Sequence, residues 1–330
     1  MNNIRLNANE NPYNTIDKNE LIQGIESFEF NRYPDATYSA LRKAISEIST
    51  VPFEQILATN GSDELIQLLI LAFSNPFDKI LALEPTFSEY RKIASYLQRD
   101  YIGLKPNENL SLDKGKLLTA IQRYNPKVIF LCTPNNPTGE VLDQDFIKSI
   151  LENTDSIIAL DEAYIEFSSA DNLNLLNSYD NLVIMRTLSK AYGLASLRVG
   201  YALANVNLIE SLNSCRMPYN ISGISAYIAT KAIRSIDVEK YKQLLINEKY
   251  RLLKKFKALG IEYLESSSNF VLFKLENINP FYEQLVAKGI YIRKFKETEL
   301  SNYLRFSVGT KEENTQFMKI VEEVMTNANS

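Results

Sequence analysis

Residues 187–204 have the sequence TLSKAYGLASLRVGYALA, and this stretch decides how the rest of the chain is interpreted. Lys190 stands there with hydroxyl side chains before it and an arginine after it, a layout suited to a lysine that holds an aldehyde cofactor bearing a phosphate. The run LVIMRT just upstream is short, apolar and β-branched, which predicts a buried strand. Such a strand delivers Lys190 to its carboxyl end, the edge at which open α/β sheets bind their ligands.

Composition limits the class of protein. The chain has 330 residues, 45% of them hydrophobic, which is enough for a large core and suggests about two domains. The net charge is −4, and the lysines and arginines are scattered among acidic residues, so the sequence predicts no basic surface. We therefore expect no nucleic-acid partner. The amino terminus lacks the apolar core of a signal peptide, and the densest apolar run, LIQLLILAF, is too short to span a bilayer. We therefore expect a cytoplasmic protein without a membrane partner.

Histidine is absent from the chain, which excludes catalytic triads, zinc-bound imidazole and histidine bases. Cys132 and Cys215 are far apart and have no neighbouring cysteine, so neither a disulfide framework nor a metal site is expected. Proton transfer must use another side chain or a cofactor.

Residues 55–205 alternate short apolar runs with helical patterns, which predicts βα repeats around a mainly parallel sheet. The runs are ILALE, KVIFLCTP, SIIALDEAY, LVIMRT and VGYALA. Between them, GSDELIQLLILAF is apolar nearly all round, so we expect a buried helix that ends near Phe73. The fold class is therefore α/β.

A second unit is predicted after about residue 225. It opens with a long charged helix that Gly260 ends, and continues with the strands NFVLFKL, IYIRKF and LRFSVG and a final amphipathic helix. We predict an amino-terminal arm with part of a small domain over residues 1–30, a large cofactor-binding domain over 31–230 and a small α+β domain over 231–330.

Four predicted strands each end in a chemically distinctive segment. ILALE leads to Phe87, VIFLCTP to Asn136, IIALD to Asp161 and Tyr164, and LVIMRT to Lys190. Because carboxyl ends of parallel strands meet at one edge of a sheet, we expect one site from all four.

Asp161 is expected to be poorly solvated and to need a donor or a cation, which a protonated pyridine nitrogen would supply. A helix N-cap is an equally common use of such an aspartate. Tyr164 and Asn136 could donate to a phenolate oxygen on the same ring, although a core tyrosine and an Asn-Pro-Thr-Gly turn would explain them as well.

Two features predict a phosphate site. Arg198 offers bidentate donors, and Gly61, Ser62 and Asp63 open the apolar helix with free backbone N–H groups. A surface ion pair and an ordinary helix cap are the alternatives. Phe87 could stack on a cofactor ring, while Lys190 could bind its aldehyde and then serve as the base.

The chain resembles the fold-type I pyridoxal-phosphate-dependent aminotransferases, and among them the class-II family of histidinol-phosphate aminotransferases. The resemblance covers nearly the whole length, in the segments LNANENPY (6–13), NRYPD (31–35), TNGSDELI (59–66), PNNPTG (134–139), DEAYIEF (161–167), RTLSKAYGLASLRVGYA (186–202), PYNIS (218–222), SNFVLF (268–273) and LRFSVGT (304–310). It implies a large domain with a mainly parallel seven-stranded sheet, a smaller α+β domain and pyridoxal 5'-phosphate (PLP) as cofactor.

The resemblance also implies roles for individual residues. Lys190 would carry the cofactor, Asp161 would pair with its pyridine nitrogen, and Asn136 and Tyr164 would contact its ring oxygen. The phosphate would be held by Thr187, Ser189, Arg198 and the backbone of Gly61, Ser62 and Asp63, with Tyr33 reaching it from the partner subunit of an obligate homodimer.

For the substrate, the resemblance implies that Arg305 clamps an anionic group, that Arg293 assists it and that Tyr13 lines the pocket. Two arginines suit the phosphate of histidinol phosphate, with 2-oxoglutarate as the amino acceptor. Phe87 stands where close relatives often have tyrosine, and Ser196 where glycine is usual.

Other functions stay open at this point. A threonine-phosphate decarboxylase and an aromatic amino-acid aminotransferase would share the scaffold. A nicotinamide oxidoreductase would fit a parallel sheet, but no G-x-G-x-x-G follows a predicted strand. A non-catalytic relative should have lost Lys190 or Asp161, and the chain keeps both.

Overall fold

The computed structural model describes residues 3–26 and 28–328 and is built around two sheets. The larger has seven strands in the order β2-β8-β7-β6-β5-β3-β4. These strands are β2 (Ile56–Thr59), β3 (Lys79–Leu83), β4 (Asp100–Leu104), β5 (Val128–Cys132), β6 (Ile157–Asp161), β7 (Leu182–Thr187) and β8 (Gly200–Ala204). All neighbours pair in parallel except β8, which is antiparallel to both β2 and β7. The predicted α/β class and mainly parallel seven-stranded sheet are confirmed.

The smaller sheet has the order β1-β10-β11-β9. Its strands are β1 (Ile4–Leu6), β9 (Phe270–Lys274), β10 (Ile290–Lys294) and β11 (Tyr303–Ser307). β1 joins from the amino-terminal end and pairs in parallel with β10, so the first described strand lies in the same sheet as the last. The domain boundaries near residues 30 and 230 stay a prediction.

Helices cover both sheets. They are α1 (Lys18–Glu26), α2 (Ser39–Ser49), α3 (Gly61–Phe73), α4 (Glu89–Tyr96), α5 (Lys114–Tyr124), α6 (Gln144–Leu151), α7 (Val206–Cys215), α8 (Gly223–Ser235), α9 (Val238–Ala258), α10 (Ile278–Ala287) and α11 (Lys311–Ala328). Within residues 3–26 and 28–328, no helix combines the length and the apolar character needed to cross a membrane.

The predicted ends of two helices are confirmed. α3 stops at Phe73 and buries Leu65, Ile66 and their apolar neighbours between α7 and the large sheet. α9 stops at Ala258, and Gly260 follows with φ +70°, the left-handed conformation that glycine adopts without strain.

Three strands have no counterpart in the sequence prediction. β1 and β2 have only three and four residues. β4, with the sequence DYIGL, is an edge strand that is nowhere fully buried. Short or half-exposed strands lack the apolar run on which recognition depends, because their stability comes from pairing with neighbours.

Candidate active site

The strand ends of the large sheet meet at two adjoining cavities. The inner cavity has a volume of about 140 Å³, and most predicted cofactor residues line it: Ser62, Asp63, Phe87, Asn136, Asp161, Tyr164, Thr187, Ser189, Lys190 and Arg198. The outer cavity, about 340 Å³, is lined by Arg293 and Arg305 and shares Phe87, Asn136, Tyr164 and Lys190 with the inner one. The structure therefore brings the four predicted strand ends together, and both arginines border the same space.

Lys190 follows β7 and lies where the two cavities join. Its Nζ donates to the backbone carbonyl of Ala8 at 3.0 Å and stands 5.7 Å from the ring centroid of Tyr164. Burial, followed by the nearby charge of Arg305, lowers the pKa of the amine from 10.5 to about 8. About a tenth of the amine is therefore uncharged at pH 7, far more than for a lysine with the ordinary value of 10.5, and the uncharged form is the nucleophile and base.

Asp161 ends β6 and is 4% exposed. One carboxylate oxygen accepts from the hydroxyl of Tyr90 at 2.5 Å, and the other accepts from the backbone N–H of Ala163 at 3.0 Å. Burial raises the pKa of Asp161 from 3.8 to about 6, although both hydrogen bonds act in the opposite direction. Within the described part of the chain, no lysine or arginine is close enough to form an ion pair with it.

The neighbouring carboxylate, Glu162, is in a different situation. It is fully buried, but it pairs with Arg186 at 2.8 Å and accepts from the side-chain amide of Asn172 at 2.8 Å. Burial raises the pKa of Glu162, and the charge of Arg186 opposes this rise. Two adjacent buried acids therefore differ in one respect: only Glu162 has a cationic partner within the structure.

The start of α3 forms a backbone cradle beside Arg198. Arg198 donates to Asp63 at 2.8 Å, and the hydroxyls of Thr187 and Ser189 are 3.1 Å apart across the cavity wall. Gly200 makes this close packing possible, because a Cβ there would come within 2.6 Å of the backbone at the start of α3. Free N–H groups, hydroxyls and a guanidinium together suit a phosphate group.

Asn136 and Arg305 are joined at the floor of the outer cavity. A guanidinium N–H of Arg305 donates to the side-chain oxygen of Asn136, and a second donates to the backbone carbonyl of Asn7 at 2.9 Å. The Nε of Arg305 is buried and has no hydrogen-bond partner among the described residues. Arg305 thus keeps unused donor capacity, which an anionic ligand would satisfy.

Arg293 lies directly across from Arg305 in the pairing of β10 with β11. Arg305 is 6% exposed, whereas Arg293 is exposed. Burial lowers the pKa of Arg305 to about 10, and the charge of Arg293 contributes in the same direction. Two guanidinium groups held close together repel each other, so a ligand with two negative charges would relieve both.

The residues fit the PLP implied by the sequence. Asp161 is a buried carboxylate with neutral donors, and a protonated pyridine nitrogen would give it the missing cation. The close approach at Gly200 forms the cradle that a phosphate needs, and Lys190 has a lowered pKa between these two points. The inner cavity therefore offers the right partner at each end of the cofactor.

Some predicted residues lie elsewhere. Tyr33 is 81% exposed and stacks on Tyr219 with ring centroids 4.5 Å apart, so it does not line either cavity of its own chain. Tyr13 packs against Tyr241 at 5.7 Å, outside the residues that line these cavities. Ser196 is exposed and also lies outside them, so the substitution at this position leaves the cavity walls unchanged.

Two residues at the site were not found from the sequence. Tyr90, on α4, holds Asp161, and its ring stacks on Phe130 at 4.5 Å. Asn9 donates from its side-chain amide to the hydroxyl of Tyr164 at 2.8 Å. A signal was available only for Asn9, which lies within the quoted segment LNANENPY.

Comparisons with known proteins show which proteins this chain is similar to. The family described as Aminotransferase class I and II matches residues 2–321. The histidinol-phosphate aminotransferase of Caldanaerobacter subterraneus subsp. tengcongensis is 35% identical over 328 residues, which cover 98% of this chain and 93% of that protein.

Solved structures show the same architecture. The histidinol-phosphate aminotransferase of Clostridium acetobutylicum superposes with a TM-score of 0.88 at 25% identity, covering 98% of this chain and 99% of that one. The enzyme of that name from Sinorhizobium meliloti, in complex with pyridoxal-5'-phosphate, has a TM-score of 0.90 at 21% identity, covers 98% of this chain and 91% of that one, and shows the shared fold.

Proposed function

This chain belongs to the aminotransferase class I and II family, and we propose that it transfers the amino group of L-histidinol phosphate to 2-oxoglutarate in histidine biosynthesis. The products are imidazole-acetol phosphate and L-glutamate. The chain is a PLP-dependent aminotransferase, and the family resemblance inferred from the sequence is confirmed. The choice of substrate is supported by the names of its relatives and by the arginines of the outer cavity.

The observation that carries the proposal is the pairing of Arg305 with Arg293. Arg305 is buried and lines the same cavity as Lys190, its Nε has no partner among the described residues, and Arg293 is its pairing partner on the adjacent strand β10. A phosphate dianion accepts several hydrogen bonds and carries up to two charges, so it can engage both guanidinium groups. Histidinol phosphate has this group and lacks a carboxylate, which suits a site with paired arginines.

The cofactor residues are proposed as the sequence predicted them. When bound, PLP supplies an electron sink that stabilises the charge left when a proton is removed from substrate carbon. Asp161 would keep the pyridine nitrogen protonated, Asn136 and Tyr164 would donate to the ring oxygen, and Phe87 would stack on the ring. The phosphate would be held by Thr187, Ser189, Arg198 and the backbone of Gly61, Ser62 and Asp63.

Lys190 would move the proton. Its Nζ holds a proton only part of the time near neutral pH, because the pKa is lowered to about 8. An amine of this kind accepts a proton from carbon and returns it to a neighbouring atom without leaving the site. The backbone carbonyl of Ala8, 3.0 Å from Nζ, accepts a hydrogen bond from the amine and orients it.

A half-reaction tests the proposal. L-Histidinol phosphate is added to the PLP-loaded enzyme without an acceptor, and the visible absorbance should disappear while imidazole-acetol phosphate is formed. Adding 2-oxoglutarate should restore the band and release one glutamate for each site. A visible band that histidinol phosphate leaves unchanged would contradict the proposed substrate.

The same assay separates the alternatives. Release of carbon dioxide from O-phospho-L-threonine, without glutamate formation, would identify a decarboxylase on this scaffold. A much faster return of the visible band with phenylpyruvate than with imidazole-acetol phosphate would identify an aromatic amino-acid aminotransferase. Arg305→Met should slow the response to a low concentration of histidinol phosphate by roughly 100-fold but leave PLP bound.

We further propose a cytoplasmic homodimer with shared sites. Tyr33, 81% exposed, stacks on Tyr219, and Phe30 and Met217, each close to one of these two in sequence, are exposed as well. A clustered apolar surface of this kind is typical of an interface. Tyr33 would then reach the cofactor phosphate of the partner, and Tyr13 would line the substrate pocket.

Complementation tests this arrangement. Lys190→Ala removes a residue that each chain supplies to its own site, whereas Tyr33→Ala removes one that it supplies to the partner's site. A mixed dimer of the two variants should therefore contain one intact site. Activity that returns when the two inactive variants are unfolded and refolded together would support sharing. A monomeric mass in solution, or no recovery on mixing, would contradict it.

A further inference from the structure

The side chain of Asn9 forms a hydrogen bond with the hydroxyl of Tyr164. Its Nδ2 donates to the Tyr164 hydroxyl oxygen at 2.8 Å, across a sequence separation of 155 residues. Both side chains are buried, Asn9 to 1% exposure and Tyr164 to 4%. A contact between two buried polar groups this far apart in sequence depends on the tertiary fold and calls for a physical reason.

Ser307 fixes which way the Asn9 amide points. The backbone N–H of Asn9 donates to the Ser307 hydroxyl at 2.8 Å, so that oxygen already acts as an acceptor. The single hydroxyl proton of Ser307 then goes to the Asn9 side-chain oxygen at 3.2 Å. With the amide turned over, the Ser307 proton would have no acceptor among the described residues, so the NH2 group, which can only donate, faces Tyr164.

The Tyr164 hydroxyl is thereby left with one hydrogen-bonding function unused, the donation of its own proton. Its oxygen receives the Asn9 proton, and within the described chain its own proton has no acceptor. The phenol borders the inner cavity and lies beside Lys190. We infer that Asn9 is a positioning residue that obliges Tyr164 to donate its proton to the ring oxygen of bound PLP.

The backbone of Asn9 serves the same purpose. Asn9 has φ +54°, a left-handed conformation in which asparagine and aspartate are favoured over other residues with a side chain. The two preceding carbonyls, of Asn7 and Ala8, accept from Arg305 at 2.9 Å and Lys190 at 3.0 Å. Residues 7–9 therefore contact three functional groups in succession, and the Ser307 bonds hold this segment in place.

The inference rests on the PLP site of the proposed function, but not on the substrate. It is tested by titrating the visible absorbance of PLP-loaded enzyme with pH, without any substrate. A hydrogen-bond donor to the ring oxygen stabilises negative charge on that oxygen. It thereby lowers the pKa of the nitrogen through which Lys190 would hold the cofactor. Loss of that donor should therefore raise the pH midpoint.

Asn9→Asp is the sharpest variant. It keeps the size and the left-handed preference, but its carboxylate accepts the Tyr164 proton instead of donating. We expect the midpoint to rise by about one pH unit, a tenfold change in proton affinity. Asn9→Gly, which is neutral and tolerates the same backbone, should raise it by a smaller amount.

Two comparisons separate this role from a general disturbance. In a Tyr164→Phe background the effect of Asn9→Asp should fall well below one pH unit and that of Asn9→Gly should vanish, because the hydroxyl through which Asn9 acts is gone. Asn11→Ala removes a hydrogen bond of the same segment, to the Ala191 carbonyl at 3.0 Å, and should leave the midpoint unchanged.

The inference is overturned if Asn9→Asp leaves the midpoint in place, if its effect is the same with and without the Tyr164 hydroxyl, or if Asn11→Ala produces an equal rise. Should Asn9→Asp fail to fold, the Asn9→Gly cycle with Tyr164→Phe gives the same decision. None of these outcomes depends on histidinol phosphate, so a wrong substrate would be detected separately by the half-reaction.

Discussion

Asp161→Asn should stabilise the PLP-free enzyme, although it removes a residue of the active site. The carboxylate is 4% exposed and has no cationic partner among the described residues, so its charge opposes folding. The folded pKa of about 6 lies above the ordinary value of 3.8. An acid whose pKa is raised by folding costs stability as it ionises, and the cost is complete above the folded pKa.

The size of the effect follows from these two values. A rise of about two pH units at about 1.4 kcal/mol each gives a cost of about 3 kcal/mol at pH 8, and about half of that at pH 5. Asparagine can still accept from Tyr90 but loses the bond from the Ala163 N–H, worth about 1 kcal/mol. The net gain should be about 2 kcal/mol at pH 8 and well under 1 kcal/mol at pH 5.

Chemical denaturation of PLP-free enzyme at both pH values measures this gain. Glu162→Gln is the matched control, because Glu162 is equally buried but paired with Arg186 at 2.8 Å. Breaking a buried pair should destabilise by about 3–5 kcal/mol, the opposite sign. The reasoning is refuted if Asp161→Asn lowers the PLP-free stability at pH 8, or raises it equally at the two pH values.

Added PLP should reverse the order. The wild-type carboxylate then gains a charged partner, and a hydrogen bond of that kind is worth about 1.5–3 kcal/mol. Asp161→Asn should bind PLP roughly 10–150-fold more weakly and gain less stability from a saturating concentration. One carboxylate would thus be seen to oppose folding of the empty protein and to favour binding of the cofactor.

Four further outcomes are expected. Lys190→Ala should lose both the visible absorbance and turnover; turnover at the wild-type rate would reject its role. The wild-type rate of PLP uptake should rise about tenfold from pH 7 to pH 9, since the amine loses its proton with a pKa of about 8; a flat profile in stopped-flow absorbance would count against the lowered pKa. Arg305→Met should reduce kcat/KM for histidinol phosphate by roughly 100-fold, and Arg293→Met, which changes an exposed residue, by about 10-fold. These factors correspond to charge-assisted hydrogen bonds of about 1.5–3 kcal/mol. Equal losses in steady-state assays would contradict the inference that the buried arginine contributes more. Gly200→Ala should weaken PLP binding because its Cβ would meet backbone at 2.6 Å, whereas Gly115→Ala, whose nearest neighbour is 3.5 Å away, should not; equilibrium binding of PLP compares the two.

Sequence reasoning located the site where strands are apolar and end abruptly. Asp161 ends one fully or almost fully buried strand, and Lys190 and Asn136 follow two others, so their convergence follows from the rule for parallel sheets. The residues predicted to hold a phosphate needed one more step, the recognition that a helix begins at Gly61, which the bounds of α3 confirm. Local pattern was sufficient because each residue stands at the boundary of an element with a clear period.

The supporting residues could not be predicted in this way. Tyr90 lies in the first turn of α4 and reaches Asp161 across 71 residues of chain, and its local sequence is that of any amphipathic helix. Asn9 meets Ser307 across 298 residues. Such contacts depend on how whole helices and strands pack together. The residues next to Tyr90 or Asn9 in sequence carry no pattern that predicts this packing. Tyr33 shows the remaining limit, because its predicted role depends on a second chain.

The unpaired groups of the site form a pattern that describes its ligand. Asp161 lacks a cation, Tyr164 has a proton without an acceptor, and Arg305 has a buried Nε without a partner, each within the described chain. A protein core normally satisfies such groups, because each one left alone costs about 1–3 kcal/mol or more. Here they face adjoining cavities in a fixed order: a negative charge, a donor, then a positive charge. A ring with a cationic atom and an anionic oxygen would satisfy the first two groups, and an anionic group on the substrate would satisfy the third. The stability given up in the empty protein is therefore recovered as binding free energy when cofactor and substrate are both present.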